Sequence, residues 1–192
     1  FIENEEIVRL KKDSMEFFTV DEEPIEKECV RIEWDVNAAE KGGYEHFMLK
    51  EMNEQPKAIT DTFSPRIKEG KIVIEELNMS AEEIRDIDKI MIVACGSAYH
   101  TGVTSKYVFE GLARIPVEVD LASEFRYRKP ILNERTLVVV ISQSGETADT
   151  LAALRESKKQ GARVLGIVNV VGSSIAREAD NVMYTWAGPE IA

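Results

Sequence analysis

The sequence predicts an α/β fold: a doubly wound, five-stranded parallel sheet of order 2-1-3-4-5 flanked by helices, preceded by a short strand-rich tail and linker helices. Three observations carry that expectation. Over the last hundred residues, apolar runs alternate with helical periods, the rhythm of βαβ units. Leu137-Val138-Val139-Val140-Ile141 is an unbroken apolar run, as a strand buried on both faces requires. Before residue 81 neither pattern holds, and the charge balance differs. Residues 1–54 carry 16 acids against 7 bases, whereas residues 55–192 carry 19 against 17.

Residues 1–36 read as short strands and turns. Ile7-Val8-Arg9-Leu10 and Phe17-Phe18-Thr19-Val20 are followed by a turn at Asp21-Glu22-Glu23-Pro24, then by the partly alternating Cys29-Val30-Arg31-Ile32-Glu33-Trp34. Such ribbons bury little alone, so the segment reads as part of a domain that continues elsewhere. The opening Phe1-Ile2-Glu3-Asn4-Glu5-Glu6 lacks Met, a basic start and an apolar core, and is expected to lie inside a longer protein.

From Lys41 the period changes. Tyr44, Phe47, Met48 and Met52 fall at i, i+3, i+4 and i+8, one stripe of an amphipathic helix. Pro56 is expected to open a second short helix, which ends where Pro65 biases Ser64 out of the helical region. Glu69-Gly70-Lys71 is a turn before the apolar Ile72-Val73-Ile74, and Ser80 with Glu83 fits a capping box for a helix over 81–86. Residues 37–80 read as a linker packed against the α/β domain that begins at residue 81.

The sheet is then laid out in order. A first strand over 89–94 leads to a helix reaching about Arg114, and a second strand occupies 116–120. The third covers 137–141, followed by a helix from Thr147 to Gln160 closed by Gly161. A fourth strand lies over 163–168 and a fifth over 181–184.

Composition excludes several functions. Hydrophobic residues make up 44% and charged residues 31%, which suits a globular core. No apolar run approaches the roughly 20 residues that span a bilayer. With a net charge of −11 and no basic face, nucleic acid and anionic membrane are poor partners, while a small anion held by local donors is still allowed. Cys29 and Cys95 are too few for a disulfide framework or a zinc site, so a reduced, cytoplasmic setting is expected. His46 and His100 lie far apart without companions at metal spacing, and no metal or cofactor is expected.

Two strand-to-helix junctions hold the candidate chemistry. The first is Cys95-Gly96-Ser97-Ala98 and the second is Ser142-Gln143-Ser144-Gly145-Glu146-Thr147. The second packs three hydroxyls, an amide and a turn-permitting Gly into six residues at a helix N-terminus, where unpaired N–H groups and the dipole favour an anion. In the order 2-1-3-4-5 the two junctions flank the switch point, so one ligand would touch both. The plainer alternative is that Ser142 and Thr147 are only helix caps. Cys95 is either a nucleophile or, more simply, a small residue lining the pocket. The spacing after the first strand fails the G-x-G-x-x-G pattern although Asp120 sits where a ribose-binding acid would lie, and no G-x-x-x-x-G-K-[ST] occurs.

The segments Val93-Ala94-Cys95-Gly96-Ser97-Ala98-Tyr99-His100 and Ile141-Ser142-Gln143-Ser144-Gly145-Glu146-Thr147-Ala148-Asp149-Thr150 resemble the two signatures of a sugar isomerase (SIS) domain. More narrowly, they resemble the first SIS domain of the glutamine:fructose-6-phosphate amidotransferase (glucosamine-6-phosphate synthase) family. Residues 43–56 look like that family's linker helix, residues 1–36 like the tail of its glutaminase domain, and Ala187-Gly188-Pro189-Glu190-Ile191-Ala192 also matches. Residues 81–192 are then a first SIS domain cut short at its C-terminal end.

The resemblance implies that Ser97, Ser142, Gln143, Ser144 and Thr147 hold the phosphate of fructose 6-phosphate or glucosamine 6-phosphate. Where the family pattern reads Thr-Ser this chain has Ser97-Ala98, so Ala98 offers only its backbone N–H. It further implies a parent enzyme with a glutaminase domain and a second SIS domain, a homodimer, and no catalytic residue within these 192 residues. A stand-alone phosphosugar sensor is one alternative. A bare ketose–aldose isomerase using Glu118 or Glu146 as base is another.

Overall fold

In the computed structural model, residues 2–27 and 40–192 are described. The chain divides into two compact units, Phe1–Asp35 and Val36–Ala192. In the first, β1 (Glu6–Leu10) pairs antiparallel with β2 (Met15–Thr19), which pairs with β3 (Pro24–Ile25). The strand expected at 29–34 lies outside the described residues.

The second unit opens with α1 (Phe47–Phe63), which departs from the sequence expectation. Pro56 does not start a new helix; it lies inside a single one. Its fixed φ suits a helix and it removes one N–H, so the ladder loses a bond without ending. The expected apolar stripe also faces outward: Met48 and Met52 are each 57% exposed, whereas Lys50 is buried. Tyr44 lies before the helix. A one-turn 3-10 helix at Ser64–Arg66 follows, then the small hairpin β4 (Ile67–Lys68) and β5 (Lys71–Ile72) around the Glu69-Gly70 turn. The capping box forms as expected. Ser80 Oγ accepts from Glu83 N at 3.1 Å, and the Glu83 carboxylate accepts from Ser80 N at 2.7 Å, opening α2 (Ala81–Asp86).

The parallel sheet comprises β6 (Lys89–Ala94), β7 (Val117–Leu121), β8 (Thr136–Ser142), β9 (Arg163–Val168) and β10 (Asn181–Tyr184). Its spatial order is β10-β9-β8-β6-β7, the expected 2-1-3-4-5 read from the other edge. Every pairing within it is parallel. The crossovers are α3 (Gly96–Leu112), the short α4 (Ala122–Phe125), α5 (Ala148–Lys159) and α6 (Ser174–Glu178).

Alternate residues of each strand feed two cores, which explains the unbroken apolar runs. Met91, Val93, Val138, Val140, Val164 and Val168 pack with Phe125, Leu154 and Ile175 on one face. Ile90, Ile92, Val139 and Leu165 pack with Val117 on the other. Fully burying one such side chain contributes about 1.5–3 kcal/mol. On the second face α3 rides close to the sheet at Gly102, where an added Cβ would meet Ile92 Cγ2 at 2.8 Å.

Candidate functional site

Parallel register brings the two junctions together. Ala94, the last residue of β6, lies opposite Ile141 in β8, so Cys95 and Ser142 leave the sheet at the same edge. The junctions touch through Thr150 in the first turn of α5, whose hydroxyl lies 3.8 Å from Cys95 Sγ. In that contact the Thr150 hydroxyl donates to the half-buried, unbridged Cys95 sulfur.

The loop over 142–147 is held by its own polar groups. Gly145 N donates to Ser142 Oγ at 3.1 Å, and Ser142 Oγ lies 3.0 Å from Thr147 Oγ1. Glu146 N donates to Ser144 Oγ at 3.2 Å. The backbone is anchored from outside, with the Gln143 carbonyl accepting from Asn169 N at 2.9 Å and the Gly145 carbonyl from Ile175 N at 3.0 Å. Gly145 is required twice over. Its φ is +67°, and a Cβ there would fall 2.0 Å from Ser173 Oγ.

Thr147 occupies the N-cap of α5, yet its side chain makes no capping bond. Its hydroxyl turns to Ser142 instead. A hydroxyl has one proton and two lone pairs. Because Ser142 Oγ accepts from Gly145, its proton is left for Thr147 or for an anion beside them. The first-turn amides of α5 have no intrahelical partners and carry the positive end of the dipole. Neither loop contains Lys or Arg. The site therefore offers neutral donors in number, a combination suited to a small oxyanion.

The expected site residues fall as follows along the two junctions. Ser142 is buried, Ser144 and Thr147 are half-buried, and Gln143 is exposed on the same loop. Ser97 is exposed and Ala98 half-buried in the first turn of α3, which begins at Gly96 with φ +56°. The candidate isomerase bases sit poorly for that task. Glu118 is paired with Lys89 at 2.8 Å and Arg128 at 3.6 Å, and the Lys89 hydrogen bond, ahead of the other charges, holds its carboxyl below the usual range. The Glu146 carboxylate accepts from Ser174 N at 2.7 Å. Asp120 is ion-paired with Arg128. His46 precedes α1 and His100 lies on α3 with its ring against Tyr99. No group of metal-binding side chains occurs among the described residues.

Two residues escape sequence reasoning. Ser173, fully buried beneath Gly145, has an Oγ without a hydrogen-bond partner among the described residues. Asn169 follows β9 and supports the Gln143 backbone. The only signal for them is position: both lie past the carboxyl end of a strand next to the switch point.

Fold and junctions together define a class: an open, doubly wound α/β domain in which a hydroxyl-rich loop and a small-residue loop meet at the switch point. Residues 83–192 match the SIS domain, and the chain belongs to that family. It is 62% identical over its whole length to the glutamine--fructose-6-phosphate aminotransferase [isomerizing] of Caldanaerobacter subterraneus subsp. tengcongensis, and 63% identical to that of Clostridium acetobutylicum. In both cases it covers 32% of the relative, so the chain spans about a third of the length of the curated relatives it matches. Among solved structures, the C-terminal domain of glucosamine-fructose-6-phosphate aminotransferase from Francisella tularensis superposes with a TM-score of 0.73 at 45% identity. That match covers 79% of this chain and 42% of the other. The likeness to the amidotransferase family expected from the two signature segments is borne out.

Proposed function

We propose that the chain is the phosphosugar-binding SIS part of an enzyme that makes glucosamine 6-phosphate from fructose 6-phosphate and glutamine. Ser97, Ser142, Gln143, Ser144 and Thr147 take the phosphate, with the Ala98 N–H as a further donor. The observation that carries this reading is the meeting, at one switch point, of a junction with three hydroxyls and a second, small-residue junction, neither holding Lys or Arg. On the same reading, residues 1–36 end a glutaminase domain, 37–80 link it to the SIS domain at 81–192, and a second SIS domain supplies the acid/base and Schiff-base groups. The parent works as a cytoplasmic homodimer. No helix among the described residues is long and apolar enough to cross a membrane.

Titration calorimetry with fructose 6-phosphate, glucosamine 6-phosphate and unphosphorylated fructose tests the reading. Both phosphosugars should bind and fructose should not. Affinity should fall as pH drops through about 6, where a phosphate monoester loses its second charge. Equal binding of fructose and its phosphate would end the reading. The 192-residue chain should make no glucosamine 6-phosphate from fructose 6-phosphate with ammonia or glutamine. Product in a mass-spectrometric assay would show that it contains the catalytic groups after all.

A further inference from the structure

Asn169 is only 7% exposed and binds in four directions. Its backbone N–H donates to the Gln143 carbonyl at 2.9 Å. Its side-chain Oδ1 accepts from Thr185 Oγ1 at 2.9 Å and from Ala187 N at 2.8 Å. Its Nδ2 donates to the Gly188 carbonyl at 2.6 Å. One residue thus ties two segments distant in sequence, the hydroxyl-rich loop and the stretch over 185–188, at the edge of the sheet where the junctions open.

The chemistry of that post is narrow. It needs an acceptor for two donors and a donor for one carbonyl within a single short side chain. Asn supplies both, Asp lacks the donor, and Gln places its amide one methylene too far. An ordinary turn Asn would bond its own near neighbours. Asn169 instead reaches 16 to 19 residues along the chain.

We propose that Asn169 is a positioning residue: by joining segment 185–188 to the Gln143 backbone, it fixes the pose in which the 142–147 loop meets a phosphosugar. This rests on the phosphosugar reading above. Asn169 touches no ligand itself; it acts through Gln143. A bound anion needs several donors aimed at one point, so a small rotation of the loop weakens several bonds at once.

The test compares the chain with Asn169→Ala and Thr185→Val, at a temperature where circular dichroism shows each fully folded. Hydrogen exchange, read on peptides covering 142–147 and 185–188, should rise in both segments together in Asn169→Ala, with β6 and β8 still protected. Fructose 6-phosphate affinity should fall about tenfold in Asn169→Ala and about threefold in Thr185→Val, which loses one bond of the set. Unchanged affinity, or faster exchange confined to 185–188, would overturn the proposal. If the parent chain itself binds no fructose 6-phosphate, the phosphosugar reading fails, and joint or separate loosening of the two segments still decides whether Asn169 couples them.

Discussion

The two edges of the parallel sheet are built on opposite principles. At the amino edge, charges meet charges. Arg135 lies 3.3 Å from Asp86 and 3.5 Å from Asp88, Arg163 2.6 Å from Glu83, and Lys158 2.9 Å from Asp180. Asp180 also accepts from Val164 N at 2.8 Å. At the carboxyl edge the two junction loops hold Glu146 as their one charged side chain, the Ser142 and Thr147 hydroxyls bond to each other, and donor capacity is left over. Groups satisfied internally have nothing to offer a ligand; groups only partly satisfied do. The difference separates the end whose polar groups pair with one another from the end proposed above to bind a phosphosugar.

The largest effect should come from Gly145→Ala. A left-handed φ strains any L side chain, and the new methyl would collide with Ser173 Oγ. A loss of about 3 kcal/mol in denaturant unfolding is expected, with phosphosugar binding abolished. Adding Ser173→Gly should recover part of the stability, since it removes the collision and leaves the backbone strain. No recovery would place the damage elsewhere.

Thr147→Ala separates binding from capping. A hydrogen bond to a charged phosphate contributes about 1.5–3 kcal/mol, so affinity should drop about tenfold or more. Because the Thr147 side chain makes no capping bond, stability should fall by less than the roughly 1 kcal/mol of a lost cap, leaving the melting temperature nearly unchanged. A lower melting temperature with intact affinity would reverse the assignment.

Acid should weaken the ion-paired side chains before it affects the loops. Hydrogen bonding from Arg155 depresses the Glu178 carboxyl below its ordinary value, and Lys89 does the same for Glu118. A depressed carboxylate stabilises the fold above its unfolded pKa and loses that contribution as pH falls through the folded one. Melting temperature should therefore decline from about pH 5 downward, and Glu118→Gln with Glu178→Gln should flatten that decline. An unaltered slope would remove these pairs from the account.

Smallest of all should be Arg135→Ala at the amino edge. Exposed pairs contribute about 0–1 kcal/mol, so stability should move by about that much and phosphosugar affinity not at all. A tenfold affinity loss would erase the division between the edges.

Legibility in the sequence follows burial. Strands buried on both faces must be largely apolar, and β6 and β9 are readable to the residue for that reason. Helices α4 and α6 are invisible because four or five residues cannot display a 3.6 period. α1 misleads because its proline reads as a boundary and its methionine stripe as a core face. The 142–147 loop stands out by composition. Asn169 does not, since its partners at 185–188 are brought to it only by the return of β10.

The outer edge of β10 shows a further economy in the linker. The buried Arg66 guanidinium donates to the Tyr184 carbonyl at 2.9 Å while Glu76 holds it at 2.7 Å, and the Thr62 hydroxyl donates to the Thr185 carbonyl. A sheet edge with open carbonyls is a template on which another chain can add a strand. Side-chain donors close those carbonyls without presenting a new ladder, so growth of the sheet stops there. Thr62 in the last turn of α1 and Arg66 just after it thus close this stretch of edge, and replacing both with Ala should favour strand addition by another chain, read as precipitation before any loss of secondary structure.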